Sequence, residues 1–154
     1  MSLDLIQVAV VDEQRFRPLS SQLEQRFVDA VRTIARDHDF TRADISICVL
    51  NDAQIHDINR QYLQHDYPTD VITFPLSDVH DVLEGEILIS METADRQSLE
   101  LPWSADDECL LYVIHGMLHL VGYDDTSDDL QLIMKEQERK YLMHFGVPGA
   151  EEHQ

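Results

Sequence analysis

Two histidines, His115 and His119, stand four residues apart in the stretch VIHGMLHLVGYDD, with Gly122 and Asp125 close behind. Side chains at i and i+4 share one helical face, with Cβ atoms ~5–6 Å apart. Both imidazoles can then reach one ion at the ~2.0–2.1 Å of a zinc–nitrogen bond. Gly122 predicts the end of the helix. The chain reverses there and returns the Asp125 carboxylate toward the same ion. Three protein ligands leave a fourth position open, which is the mark of a catalytic rather than a structural site. The competing reading is two ordinary core histidines. Burying two imidazoles without partners in so apolar a helix costs about 1–3 kcal/mol for each unsatisfied group, and this favours metal.

The pattern H-x-x-x-H-x-x-G-x-x-D has the form of the metzincin H-E-x-x-H-x-x-G-x-x-H, with Asp in third place. Gly116 stands where H-E-x-x-H peptidases carry their general-base Glu, which argues against an ordinary zinc protease.

The elements that must position these residues follow from periodicity. LIQVAVV (5–11) reads as a strand. Leu23, Phe27, Val31 and Ile34 give 18–37 the spacing of a helix with one buried face, capped by Ser20 or Ser21. ISICVL (45–50) reads as a buried strand, and Asn51 as the N-cap of a helix carrying Ile55, Ile58 and Tyr62. Pro68 closes that region. DVITFP (70–75) and GEILIS (85–90) read as strands around a polar segment, followed by a short helix near 91–99. The helix at 105–121 is apolar nearly all round, hence buried on most sides. Thr126 with Asp129 resembles a capping box for a last helix over 127–145.

The order β-α-β-α-β-β-α-α-α predicts an α+β fold: a small mixed sheet of about four strands packed against helices, with a buried central metal-binding helix. One domain over 1–147 is expected, with 148–154 (PGAEEHQ) as an acidic frayed tail.

Composition narrows the class. The 154 residues include 30 acidic and 11 basic ones, a formal net charge of -19. A protein that grips nucleic acid through phosphates usually carries a basic stripe, so a polyanionic substrate must be met locally, by a metal or a few arginines. No apolar run approaches the ~20 residues of a membrane span. The N-terminus lacks a signal-peptide pattern, so a cytosolic protein is expected. Cys48 and Cys109 both lie in apolar contexts and read as free, buried thiols.

These motifs carry a resemblance. HGMLHLVGYDD resembles the H-G-x-L-H-L-x-G-Y-D-H signature of the YbeY family, bacterial single-strand-specific metallo-endoribonucleases of ribosomal RNA maturation. LNDAQIHDINRQYLQHDYPTDVITFP (50–75) is similar to that family's L-N-x-x-Y-R-x-x-D-x-P-T-D-V-L-S-F-P, and GEILIS to its G-D-I-x-I-S strand. The resemblance implies cytoplasmic location and one Zn2+ per chain held by His115, His119 and Asp125. It also implies work on 16S rRNA 3′-end processing and ribosome quality control. The implied partners are single-stranded rRNA, the small ribosomal subunit, ribosomal proteins and an assembly GTPase, with no membrane and no DNA.

Two departures from the family pattern matter. The third ligand is Asp125 where the family has His, which implies a more alkaline rate optimum than three histidines would give. The family's arginine falls on Leu63. Arg60, one helical turn earlier, and His65, beside Asp66, are the candidates to replace it; the alternatives are a surface helix residue and a loop residue. Asp70 is expected to fix the turn into its strand, and Asp124 to bond around the ligands. Asp128 and Asp129 are expected to sit at a helix start. Two rival functions stay open: a peptidase or amidase, and a non-catalytic ribosome-assembly factor with a structural zinc.

Overall fold

The computed structural model describes residues 5–63, 70–76 and 81–153. Among the described residues the order is β1 (Leu5–Asp12), α1 (Ser21–Asp37), β2 (Arg42–Leu50), α2 (Asp52–Leu63), β3 (Val71–Pro75), β4 (Leu83–Ser90), α3 (Met91–Ser98), α4 (Ala105–Leu120) and α5 (Asp128–His144). A 3-10 turn (Ala150–Glu152) follows. The four strands form one mixed sheet in the order β1-β2-β4-β3. β1, β2 and β4 are parallel, and β3 runs antiparallel to β4. This is the α+β fold expected. β3 is an edge strand, where Pro75 has no ladder bond to lose.

Side-chain alternation divides the sheet into two faces. Ile45, Ile47 and Val49 of β2 and Ile87 and Ile89 of β4 are fully buried in the main core with α1 and α4. Leu50, Ile72 and Leu88 point the other way and bury against Ile55 and Ile58 of α2. The central helix α4 therefore lies across one sheet face, and α2 covers the other.

Caps set the ends of the helices. Ser20 caps α1, accepting from Leu23 N at 3.1 Å. Asn51 and Gln54 cap reciprocally, each side-chain oxygen accepting the other's backbone N–H at 2.8 Å. Ser104 and Asp107 form a capping box for α4, and Asp107 also pairs with Arg26 of α1 at 2.7 Å. α5 begins one residue later than the expected box allows. Its cap is Ser127, whose hydroxyl accepts from Leu130 N at 3.2 Å; Thr126 instead donates to Asp124 at 3.3 Å.

The described part of the expected frayed tail is held against the domain at Ala150 and His153. Ala150 is fully buried and His153 nearly so. Arg139 on α5 donates twice to the His153 carbonyl, at 3.0 and 2.8 Å. An Arg fork and a buried ring anchor a segment whose composition alone reads as solvated.

Gly116 packs against the sheet, because a Cβ there would stand 2.7 Å from Cγ2 of buried Ile87. There is no room at this position for the Glu of H-E-x-x-H enzymes. Gly116→Ala gains about 1 kcal/mol of helix propensity and loses about 1–3 kcal/mol to overpacking. A net destabilisation near 1 kcal/mol is expected in thermal unfolding, and a raised Tm would contradict this packing.

Candidate metal centre

α4 is buried from Asp107 to Leu118 except at His115, and His119 is likewise only half-buried. The two histidines form a window in an otherwise enclosed helix. Gly122 follows the C-cap Val121 with φ +118°, a conformation that glycine adopts freely. Gly122 N donates to His119 O and Tyr123 N to Leu118 O. These two bonds are the Schellman pattern, and they reverse the chain so that Asp125 returns to the window.

Three donor atoms converge there. His115 Nε2 and His119 Nε2 are 3.1 Å apart. Asp125 Oδ2 lies 3.7 Å from the first and 3.4 Å from the second. Four-coordinate bonds of ~2.0–2.1 Å put neighbouring donors roughly 3.3–3.4 Å apart, a spacing the three distances bracket. His115, His119 and Asp125 are also the one such cluster among the described residues.

The far side of each ring fixes its proton. His115 Nδ1 is 2.6 Å from Glu138 Oε2, and His119 Nδ1 is 3.1 Å from the carbonyl of Tyr123. Both partners only accept, so each Nδ1 carries the hydrogen. Both Nε2 lone pairs then point at one another and at a carboxylate. That arrangement is repulsive unless a cation lies between them, so the donor set fits a divalent metal.

Glu138 on α5 is the residue that the sequence reading missed. It is almost fully buried and uses both oxygens: Oε2 accepts from His115 and Oε1 from His153 Nε2 at 2.7 Å. Burial alone raises a carboxyl, but these two bonds, with the charges of His115 and Lys135, outweigh it and bring Glu138 down to about 2. Burial likewise disfavours the His115 imidazolium, and the Glu138 bond and charge more than offset this and raise its pKa. A carboxylate behind a ligating histidine orients the ring and increases its basicity.

Asp124 accepts from Asp125 N at 2.8 Å, and Gln131 donates to the Asp125 carbonyl at 3.0 Å; together they hold the loop that carries Asp125. Asp70 accepts from Val71 N at 2.8 Å at the start of β3. Arg60 is exposed on α2, across the sheet from α4, and ion-paired with Asp57 one turn earlier. The structure does not bring it to the cluster. His65 lies outside the described residues. Both cysteines are free. Cys109 is buried as expected, and burial pushes its thiol up to about 12, whereas Cys48 is only half-buried. No helix among the described residues is long and apolar enough to cross a membrane.

Beside His115 the same face of α4 borders a cavity of about 290 Å³, which Asp70, Trp103, Glu108, Tyr112, Lys135 and Glu138 help to line. Glu108, Tyr112, His115 and His119 form a single stripe along the helix at i, i+4, i+7 and i+11.

Comparison with known proteins gives a consistent result. The family described as Endoribonuclease YbeY matches residues 9–146. A protein of Rhodopirellula baltica named Endoribonuclease YbeY is 44% identical over 108 residues, 69% of this chain and 56% of that protein. Proteins of the same name match from Chlorobium phaeobacteroides, at 34% identity over 82% of this chain and 89% of the relative, and from Desulfitobacterium hafniense, at 33% over 89% and 92%. The solution structure of TM1509 from Thermotoga maritima superposes with a TM-score of 0.63 at 27% identity. The match covers 88% of this chain and 87% of that one.

Proposed function

Because the chain belongs to the YbeY endoribonuclease family, we propose that it is a zinc-dependent, single-strand-specific endoribonuclease acting in 16S rRNA 3′-end maturation and ribosome quality control. The observation that supports this reading is the triangle of His115 Nε2, His119 Nε2 and Asp125 Oδ2, with both Nδ1 atoms turned to acceptors. When bound, one Zn2+ supplies Lewis-acid stabilisation of a phosphate oxygen or activation of water.

The chain's own residues set the stage for it. Glu138 and the Tyr123 carbonyl keep the protons on Nδ1, so both rings present lone pairs. Asp125 adds the negative charge of the ligand set. Lys135 lines the cavity wall beside His115 and pairs with Glu138 Oε1 at 3.7 Å. RNA brings its own 2′-hydroxyl, so the chain has mainly to hold an unpaired strand. A cavity of about 290 Å³ takes a base or a sugar but not a stacked duplex, which fits single-strand preference. The cytoplasm and the small ribosomal subunit are the expected setting.

Leu63 in place of the family's arginine, together with the Arg60–Asp57 pair, favours a second reading, a ribosome-assembly factor whose zinc is structural. The net charge of -19 suits docking on basic ribosomal proteins. The test is cleavage of an unstructured RNA and of its duplex by zinc-loaded and chelator-stripped protein. The expected result is cutting of the single strand by the loaded protein alone. Co-sedimentation with small subunits without any cleavage would favour the second reading.

A further inference from the structure

We infer that the cavity beside His115 is a subsite for one unpaired nucleobase flanking the scissile phosphate. The inference rests on the endoribonuclease reading and adds to it what lies next to the metal.

The stripe Glu108–Tyr112–His115–His119 runs along one face of α4, so the cavity and the ligand cluster share a wall. A strand whose phosphate lies at the cluster has its neighbouring nucleoside at the cavity mouth. The cavity's volume, about 290 Å³, lies just under the lower bound of ligand sites, which run about 300–1,000 Å³. It suits a single flat heterocycle better than an extended ligand.

Its chemistry selects a base over a phosphate. Asp70, Glu108 and Glu138 line it against one cation, Lys135. These acidic walls repel a phosphodiester. Trp103 and Tyr112 add aromatic surface, and flipped or unpaired bases are commonly held by such surfaces together with bonds to their Watson–Crick edge.

Tyr112 and Glu108 are the polar pair of that wall. Tyr112 is 3% exposed, and its hydroxyl is buried beside the Glu108 carboxylate, the group with which it interacts. Both residues line the cavity. Glu108 is 6% exposed. Its Oε1 accepts from Trp103 Nε1 at 2.9 Å, which fixes the carboxylate in the wall. A fixed carboxylate favours bases with an exocyclic amino group, as when Glu or Asp accepts from cytosine N4. Adenine, cytosine and guanine have that group and uracil does not.

The test is ligand-observed NMR titration of zinc-loaded protein with adenosine, cytidine, guanosine and uridine, repeated with Tyr112→Phe and Glu108→Gln. The three amino-bearing nucleosides are expected to bind more tightly than uridine. Tyr112→Phe is expected to weaken them roughly 2- to 10-fold, the size of one hydrogen bond, because it removes the hydroxyl that sits with Glu108 in the wall. Glu108→Gln is expected to reduce the preference over uridine. Both variants keep one metal per chain, because neither side chain belongs to the ligand triangle.

Absence of nucleoside binding, binding indifferent to both substitutions, or uridine bound as well as the others would overturn the subsite. So would displacement of every nucleoside by spermidine at equal affinity in all three proteins, which would make the cavity a cation site. Nucleoside binding is read without any cleavage, so failure of the subsite and failure of the nuclease reading are separate results.

Discussion

Glu138→Ala is expected to weaken divalent-metal binding by about 10- to 100-fold, although it removes none of the three ligating atoms. Glu138 Oε2 holds the His115 Nδ1 proton at 2.6 Å. Without it the ring loses both its orientation and its tautomer. Glu138→Gln is the sharper probe. Its amide oxygen can satisfy only one of the two histidine donors, and an amide N–H facing His115 Nδ1 drives the proton to Nε2, where it blocks the metal.

A stability effect accompanies the metal effect. Removing one partner of a buried charged pair costs about 3–5 kcal/mol. Because Glu138 is depressed from 4.5 to about 2, its contribution is present above about pH 4.5 and disappears as pH falls toward 2. Metal-free wild type should therefore lose stability over that window more steeply than Glu138→Gln. Competition against a chromophoric chelator checks the affinity. Wild-type affinity in folded Glu138→Ala would show that the carboxylate has no bearing on the metal.

Asp125→Ala is expected to lower metal affinity beyond the roughly 100-fold upper end for an outer partner, and to abolish RNA cleavage with it. The apo protein should keep its stability within about 0.5 kcal/mol. The Asp125 side chain is 40% exposed, and its loop is held through backbone atoms by Asp124 and Gln131, so nothing structural rests on the carboxylate. Its Oδ2 faces the two Nε2 atoms at 3.7 and 3.4 Å. Asp125→His restores the family's third ligand, and cleavage should return with a more acid rate optimum. Unaltered metal affinity in Asp125→Ala, measured by calorimetry beside the thermal melt, would remove Asp125 from the ligand set.

The convergence of His115, His119 and Asp125 and the order of elements were legible because each rests on local spacing. His115 and His119 depend only on the pitch of one helix, and Asp125 on a glycine reversal three residues away. The strands were read from alternation, although β2 begins at Arg42 rather than Ile45 because pairing with β1 extends past its apolar part. The α5 cap moved by one residue, since Thr126 and Ser127 are both competent caps and only tertiary contacts choose between them.

Glu138 was not legible as a partner of His115, because 23 residues separate them. A signal did exist. Met134, Glu138, Tyr141 and Leu142 form the buried stripe of α5, and a Glu in such a stripe needs a buried partner. His153 carried no local signal at all; its place depends on Arg139 and Glu138 from another element. Arg60 was a candidate by position with a surface helix residue as the alternative, and the sheet lies between its helix and α4. Tyr112 and Glu108 were hidden in plain view, on the same face of the same helix as the ligands.

The most direct test pairs metal analysis with cleavage of an unstructured RNA by zinc-loaded wild type and by His119→Ala prepared identically. The account predicts one zinc per chain and cleavage for wild type, and neither for His119→Ala. Equal cleavage by the two, or a wild type that binds no zinc, would contradict it.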